Sequence, residues 1–275
     1  MENKSKALQF LNISHSSFYY KSVKEEKDLK LKSRIENVLA DNPSYGHRRI
    51  SIELKINKKK IIRVMKKFGL KPLRGRRKPR KSKCNDKFAP SPNLLVSLFP
   101  LYKNHVWVTD FTYIKWHDRF VYLATVIDLF TREVLGISIK TNHSALLVSE
   151  ALLNALQNNP PPAIIHSDQG SEYKSKLFRL ILSDWKISQS MSKKGSPWQN
   201  GFQESFYGNW KVDVGDVNRF GSLGELTAGI YKSIYYYNNL RIHTALGCAP
   251  KTFAEKIARQ YEIKYNMSQE KQVVQ

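Results

Sequence analysis

Residues 106–140 read VWVTDFTYIKWHDRFVYLATVIDLFTREVLGISIK, and this stretch decides the fold. Apolar and polar residues alternate in three runs, Val106 to Lys115, Phe120 to Phe130 and Glu133 to Lys140, with the period of two that belongs to a strand. The joining segments, Trp116-His117-Asp118-Arg119 and Thr131-Arg132, are short enough that the runs form an antiparallel meander. Downstream the period lengthens. Asn142 or Ser144 can cap a helix whose apolar side carries Leu146, Leu147, Ala151, Leu152, Ala155 and Leu156, and Asn158-Asn159-Pro160 ends it. A short strand from Ala163 to His166, a helix near Ser175 to Asp184, a strand near Ile187 to Met191 and a helix from about Gly201 follow. Three meandering strands and then alternating helices and strands make an α/β pattern whose later strands need crossovers.

Upstream of this unit the pattern is helical and basic. Ala7, Leu8, Phe10 and Leu11, a turn at Asn12-Ile13-Ser14, and Phe18 and Tyr19 beyond it suit a small helix-turn-helix. A second helical group starts near Asp28, breaks at Asn42-Pro43-Ser44-Tyr45-Gly46, resumes from His47 to Lys55, and starts again after Asn57. There Ile61, Ile62, Met65 and Phe68 recur at helical spacing, with Gly69 and Pro72 as stop signals. The predicted segments are a helix-turn-helix over 1–24, a helical domain over 25–72, a basic linker over 73–100, an α/β core over 101–214 and a helical extension over 215–275.

The charge sits mainly in front. The chain has 275 residues and a formal charge of +23, of which the first hundred residues, with 26 basic and 8 acidic side chains, carry +18. Lys71 to Lys83 (KPLRGRRKPRKSK) has eight basic residues and no acidic one, a run that repels itself and stays solvated. Helices with a basic face, followed by such a run, fit a polyanion bound through counterion release, so nucleic acid is the expected partner and a neutral small-metabolite enzyme is disfavoured. Arg48, Arg49, Lys59, Lys60 and Arg63, with Arg74, Arg76, Arg77, Lys78 and Arg80 of the run, are the candidate DNA contacts. Two cysteines, Cys84 and Cys248, make no disulfide framework, and no stretch approaches the ~20 apolar residues of a membrane span. A cytoplasmic, nucleoid-associated protein is expected.

Three carboxylates stand out in the α/β unit. Strand alternation sets Asp110 in the otherwise mostly apolar row of Val106, Val108, Thr112 and Ile114, where an acid needs a partner or a cation. Asp168 follows a strand end, and Glu204 lies in the first turns of a helix whose buried stripe is read as Phe202, Phe206 and Trp210. Each alone is weak. Three hard oxygen donors on separate elements are what two cations ~3.5–4 Å apart require to flank a scissile phosphate. Asp128, near a strand end, reads as a turn or ion-pair residue.

Asp168 and Glu204 are separated by 35 residues. With Tyr45-Gly46-His47-Arg48-Arg49-Ile50, Trp107-Val108-Thr109-Asp110-Phe111-Thr112-Tyr113-Ile114, Val126-Ile127-Asp128-Leu129-Phe130-Thr131-Arg132, His166-Ser167-Asp168-Gln169-Gly170, Asn200-Gly201-Phe202-Gln203-Glu204-Ser205-Phe206 and Tyr237-Asn238-Asn239-Leu240-Arg241-Ile242-His243, the chain resembles the D-D-35-E transposases and retroviral-type integrases. It is most similar to the OrfB transposases of IS-three-type bacterial insertion sequences, from about residue 5 to 260. The resemblance implies an RNase H-like core, a mixed five-stranded sheet with flanking helices, in which Asp110, Asp168 and Glu204 hold two Mg2+ or Mn2+ ions. It implies DNA cleavage at the element's ends followed by joining through the freed 3′-hydroxyl, a homo-oligomer on the terminal inverted repeats and target DNA, and an OrfA partner or OrfA-OrfB fusion.

Ser192 to Asn200 departs from the commoner family wording at Trp198. Lys193 and Lys194 suit a loop that closes on DNA, and Trp198 can either stack on a base or pack beneath the loop. Tyr235-Tyr236-Tyr237-Asn238-Asn239 reads as a packing segment, with Arg241 as its phosphate contact. Two other functions share the sequence features: a DNA-binding regulator with an inactive scaffold core, and an RNase H-like nuclease that cuts without joining.

Overall fold

The alternating run from Val106 forms the middle strand of a five-stranded mixed sheet. The computed structural model describes residues 23–73, 91–96, 98–192 and 201–273, with Leu8, Phe10, Ser14 and Ser16. The predicted helix-turn-helix over 1–24, most of the basic run and the Trp198 loop therefore lie outside the described residues. Two compact units emerge, Met1–Pro72 and Leu73–Gln275.

In the first unit, α1 (Val23–Asp41), α2 (His47–Leu54) and α3 (Lys58–Lys67) bury Leu31, Ile35, Val38, Ile50, Ile61, Val64 and Met65. Ile62, expected in the apolar stripe of α3, is exposed instead, because Val64 takes the inward position beside Ile61 and Met65. The Asn57 side chain accepts the Lys59 N–H at 2.9 Å and starts α3, and Gly69, at φ +66, ends it in the left-handed region that a glycine adopts without strain.

In the second unit, β1 (Val106–Trp116), β2 (Arg119–Asp128) and β3 (Val134–Lys140) form the meander. After α4 (Ala145–Asn158) come β4 (Ile164–Ser167), α5 (Lys176–Asp184), β5 (Ser188–Met191) and α6 (Gly201–Val214). The chain ends with α7 (Leu223–Asn239) and α8 (Pro250–Val273). The sheet order is β3-β2-β1-β4-β5, with β4 and β5 parallel to β1. β2 stops at Asp128, two residues before the expected end. The buried Asp128 carboxylate accepts the N–H groups of Phe130 and Thr131 and of Asn104, which turns the chain and confirms Asp128 as a turn residue.

Strand alternation divides the sheet cleanly. Val106, Val108 and Ile114 pack with α6 and α7 on one face; Trp107, Ala124 and Val126 pack with α4 and α5 on the other. Gly136 lets α4 sit directly on β3, because a Cβ there would overlap the Ala151 carbonyl oxygen. No described helix is long and apolar enough to cross a membrane.

Candidate active site

Sheet topology singles out Asp110. β4 pairs with β1 only over Val106 to Val108, so among the described residues the β4 side of β1 carries no strand beyond that point. Asp110, paired with Thr125 on the β2 side, sits where this edge opens, half-buried, with its Oδ1 accepting the Phe111 N–H at 2.8 Å. Asp168 is the first residue beyond β4, and its Oδ1 accepts the Gly170 N–H at 2.8 Å. Burial pushes its pKa up, and the neighbouring Glu172 carboxylate adds to the rise. The buried Tyr173 hydroxyl feels both acids. Burial first, then Asp110 and Asp168, drive its pKa well above the ordinary phenol value, so the two carboxylates share one neutral tyrosine.

Glu204 arrives by another route. On α6 the buried Gln203 donates from Nε2 to the Val108 carbonyl at 2.9 Å, and one turn later the Tyr207 hydroxyl donates to the Asp110 carbonyl at 2.7 Å. These two bonds align α6 with β1. Glu204, next to Gln203, is exposed at the level of Val108 to Asp110. Among the described residues no three His, Cys, Asp or Glu side chains stand close enough to hold one ion together. The β1–β4 register pairs Val108 with His166 and so brings Asp110 and Asp168 level at the open edge, while Glu204 stands on a helix locked to the same strand. The donor set is all carboxylate, the hard oxygen type that suits Mg2+ or Mn2+, and a cation beside Asp168 would offset the repulsion from Glu172.

The buried stripe of α6 differs from the sequence reading. Gln203, Phe206, Tyr207, Trp210 and Val214 face the sheet, whereas Phe202 is half-exposed and lies under the Arg132 guanidinium, 4.0 Å from ring centroid to Cζ. Polar Gln203 and Tyr207 take inward positions because β1 carbonyls and Thr125 offer partners there. Sequence reasoning also missed Glu172. It is 8% exposed; burial pushes its pKa up, but hydrogen bonds from His143, the backbone and Ser171 outweigh this and leave it lowered. Its place four residues beyond Asp168 was the available signal. His166, two residues before Asp168, is buried with Nδ1 2.8 Å from Ser190 Oγ, tying β4 to β5.

Comparison with known proteins meets this geometry. Two family models, both described as integrase core domain, match residues 101–197 and 185–250. The chain is 33% identical over 251 residues to the putative transposase InsK for insertion sequence element IS150 of Escherichia coli, covering 87% of this chain and 88% of the relative. It is 31% identical to the insertion element IS600 uncharacterized 31 kDa protein of Shigella sonnei, covering 90% of this chain and 97% of the relative. The chain belongs to the insertion-sequence transposases with an integrase core. The cryoEM structure of the simian T-cell lymphotropic virus intasome in complex with PP2A regulatory subunit B56 gamma aligns with 82% of this chain and 74% of that one. The TM-score is 0.51 at 17% identity, a likeness of fold alone. The fold of the transposase core is accordingly RNase H-like.

Of the candidate DNA contacts in this transposase, Arg48, Lys59 and Lys60 are exposed, and Arg49 lies over the Tyr45 ring at 5.5 Å. Arg63 is already engaged, donating from Nη1 and Nη2 to both oxygens of the buried Asp28 carboxylate, at 2.7 and 2.5 Å. Arg241 is 3% exposed, and its Nε donates to Asp213 Oδ2 at 2.6 Å, so its guanidinium is engaged within the fold. Arg74, Arg76, Arg77, Lys78, Arg80, Lys193, Lys194 and Trp198 lie outside the described residues.

Proposed function

We propose that this transposase cleaves DNA at the ends of its element and joins the freed strand to target DNA, with Asp110, Asp168 and Glu204 as its catalytic carboxylates. The observation that supports the reading is the β1–β4 register, Val108 opposite His166, which brings Asp110 and Asp168 level at the open edge, beside a helix whose Gln203 and Tyr207 are bonded to the strand of Asp110.

Both steps are in-line displacements at phosphorus. In the first, a water oxygen forms a new P–O bond and the 3′-oxygen leaves as a hydroxyl. In the second, that hydroxyl attacks a target phosphodiester, whose own 3′-oxygen departs. One P–O bond forms for each that breaks in the joining step, so it needs no nucleotide cofactor. The three carboxylates would hold two Mg2+ or Mn2+ ions, whose chemistry is to activate the attacking oxygen and stabilise the leaving one.

The surrounding parts follow the same reading. The segments 1–24 and 25–72 bind DNA as small helical domains, 73–100 is a basic linker, 101–214 the catalytic core and 215–275 its helical extension. Arg48, Arg49, Lys59 and Lys60 contact the terminal repeats with the basic run of the linker, and Lys193, Lys194 and Trp198 are further DNA contacts. Two element ends must meet, so the protein works as a homo-oligomer on DNA, alone or with an OrfA partner or fusion, in the cytoplasm at the nucleoid.

Strand joining on end-labelled element DNA in Mg2+ tests this. Asp110→Asn, Asp168→Asn and Glu204→Gln each abolish joined product while DNA binding is retained. A variant that joins at the wild-type rate overturns its assignment, and wild-type protein that cuts without joining overturns the transferase reading.

A further inference from the structure

The register that sets Asp110 and Asp168 level does not itself reach them. β4 pairs with β1 as far as Val108 and His166, so among the described residues the ladder between these strands ends two residues short of both acids. Each acid is fixed from its own side. Asp110 stands in the β1–β2 ladder opposite Thr125, with its carbonyl bonded to the Tyr207 hydroxyl. The turn that carries Asp168 is tied toward β5, where the Ser192 N–H donates to the Ser167 carbonyl and Gln169 Nε2 donates to the Ser192 carbonyl. Ligands of a cation have to be held to within about 0.5 Å, a precision that a gap in the ladder does not supply.

A side-chain route spans the gap. Phe111, next to Asp110, and Tyr122 of β2 hold the His143 ring, which lies nearly parallel to Phe111 at 6.1 Å between centroids and 5.2 Å from Tyr122. His143 Nδ1 is 2.9 Å from Glu172 Oε1, and Ser171 Oγ donates to Glu172 Oε2 at 3.0 Å. Glu172 then closes on Asp168. A Cβ at Gly170 would stand 3.0 Å from Asp168 Oδ1 and 3.1 Å from Glu172 Oε2, so the two carboxylates border one small space. Stability does not explain this arrangement, because burying a second carboxylate beside Asp168 costs free energy and the histidine that offsets the cost is itself half exposed. What the bond achieves is mechanical: it anchors the turn that presents Asp168 to the strand pair that presents Asp110.

We propose that His143 and Glu172 are positioning residues of the cation site, a pair that sets the spacing of Asp168 from Asp110. This rests on the transposase reading, in which both acids are ligands, and adds two residues outside the carboxylate triple that govern how well the ligands hold an ion.

Mn2+ binding by the full chain tests this without turnover. The chain is loaded with a duplex of the element's end whose 3′ end lacks its hydroxyl, and free Mn2+ is read by electron paramagnetic resonance. The binding lost in Asp168→Asn defines the site. His143→Ala weakens binding at that site by roughly 10- to 100-fold, while affinity for the duplex in EDTA stays at the wild-type level. His143→Asn, which keeps a donor where Nδ1 stands, recovers most of the loss. Unchanged Mn2+ affinity in His143→Ala, or no recovery in His143→Asn, overturns the inference and leaves the three carboxylates standing. So does tighter binding in His143→Ala, which would mean that the histidine holds Glu172 away from an ion it could ligate. Wild-type Mn2+ binding in Asp168→Asn overturns the assignment of Asp168 itself, and the inference with it.

Discussion

The Tyr207 hydroxyl donates to the Asp110 carbonyl at 2.7 Å and lies 2.9 Å from Thr125 Oγ1, so one buried side chain of α6 bridges the strand that carries Asp110 and its neighbour. With Gln203 one turn earlier, it fixes the register of the helix that carries Glu204. Tyr207→Phe keeps the ring and removes both bonds. It lowers unfolding free energy by about 1–2 kcal/mol, read by urea denaturation, and reduces the joining rate with little change in DNA affinity. Unaltered joining in a destabilised variant would mean that this register is irrelevant to Glu204.

Arg132 holds the start of the same helix. Its backbone sits at φ 63, uncommon for a residue with a side chain, and its guanidinium covers Phe202. Burial pushes the Arg132 pKa down, with Tyr237 and Asp128 opposing, yet the group remains a cation. Arg132→Lys keeps the charge and loses the planar stack. A stability loss of about 0.5–2 kcal/mol is expected, together with a fall in joining. A melting temperature and joining rate equal to wild type would deny the stack any role.

Asp28 gives the helical unit an acid limit. The Arg63 guanidinium bonded to it, aided by Lys67 and opposed by burial, holds its carboxyl down to about 2 from 3.8. A depressed carboxylate stabilises the fold above its unfolded value, so this contribution is complete above pH 3.8 and disappears as pH falls toward about 2. Carboxyl carbon NMR should show Asp28 titrating near 2 in wild type and well above that in Arg63→Leu. An Asp28 titration unmoved by the substitution contradicts the pairing.

Arg241→Leu separates the two roles considered for that residue. It leaves the Asp213 carboxylate without its guanidinium in a site where Arg241 is almost wholly buried. Removing one partner of such a pair costs about 3–5 kcal/mol. The slope of DNA affinity against salt should not change, whereas a phosphate contact would lower it by about one.

Much of this was legible in the residues. Period-two alternation located β1 to β3, because one face of each strand packs against helices, and Asp168 followed a short apolar run that could only be a buried strand. The inward face of α6 was misread for a physical reason: hydrophobicity points to Phe202, but β1 has carbonyls to satisfy, and Gln203 and Tyr207 satisfy them. Arg63 and Arg241 looked like phosphate contacts because a sequence shows a cation and not the distant acid, Asp28 or Asp213, that folding brings to it. Glu172 was passed over for a related reason: its place four residues beyond Asp168 was visible, but the hydrogen bond that holds it comes from His143, 29 residues away.

Glu172 also supplies the sharpest rival to Glu204, since it shares surroundings with Asp168 while Glu204 stands exposed. Comparing strand joining by Glu204→Gln and Glu172→Gln in Mg2+, with DNA binding measured alongside, tests the central claim directly. The account predicts no joined product from Glu204→Gln and reduced but measurable joining from Glu172→Gln. Wild-type joining by Glu204→Gln, with joining abolished in Glu172→Gln, would contradict it.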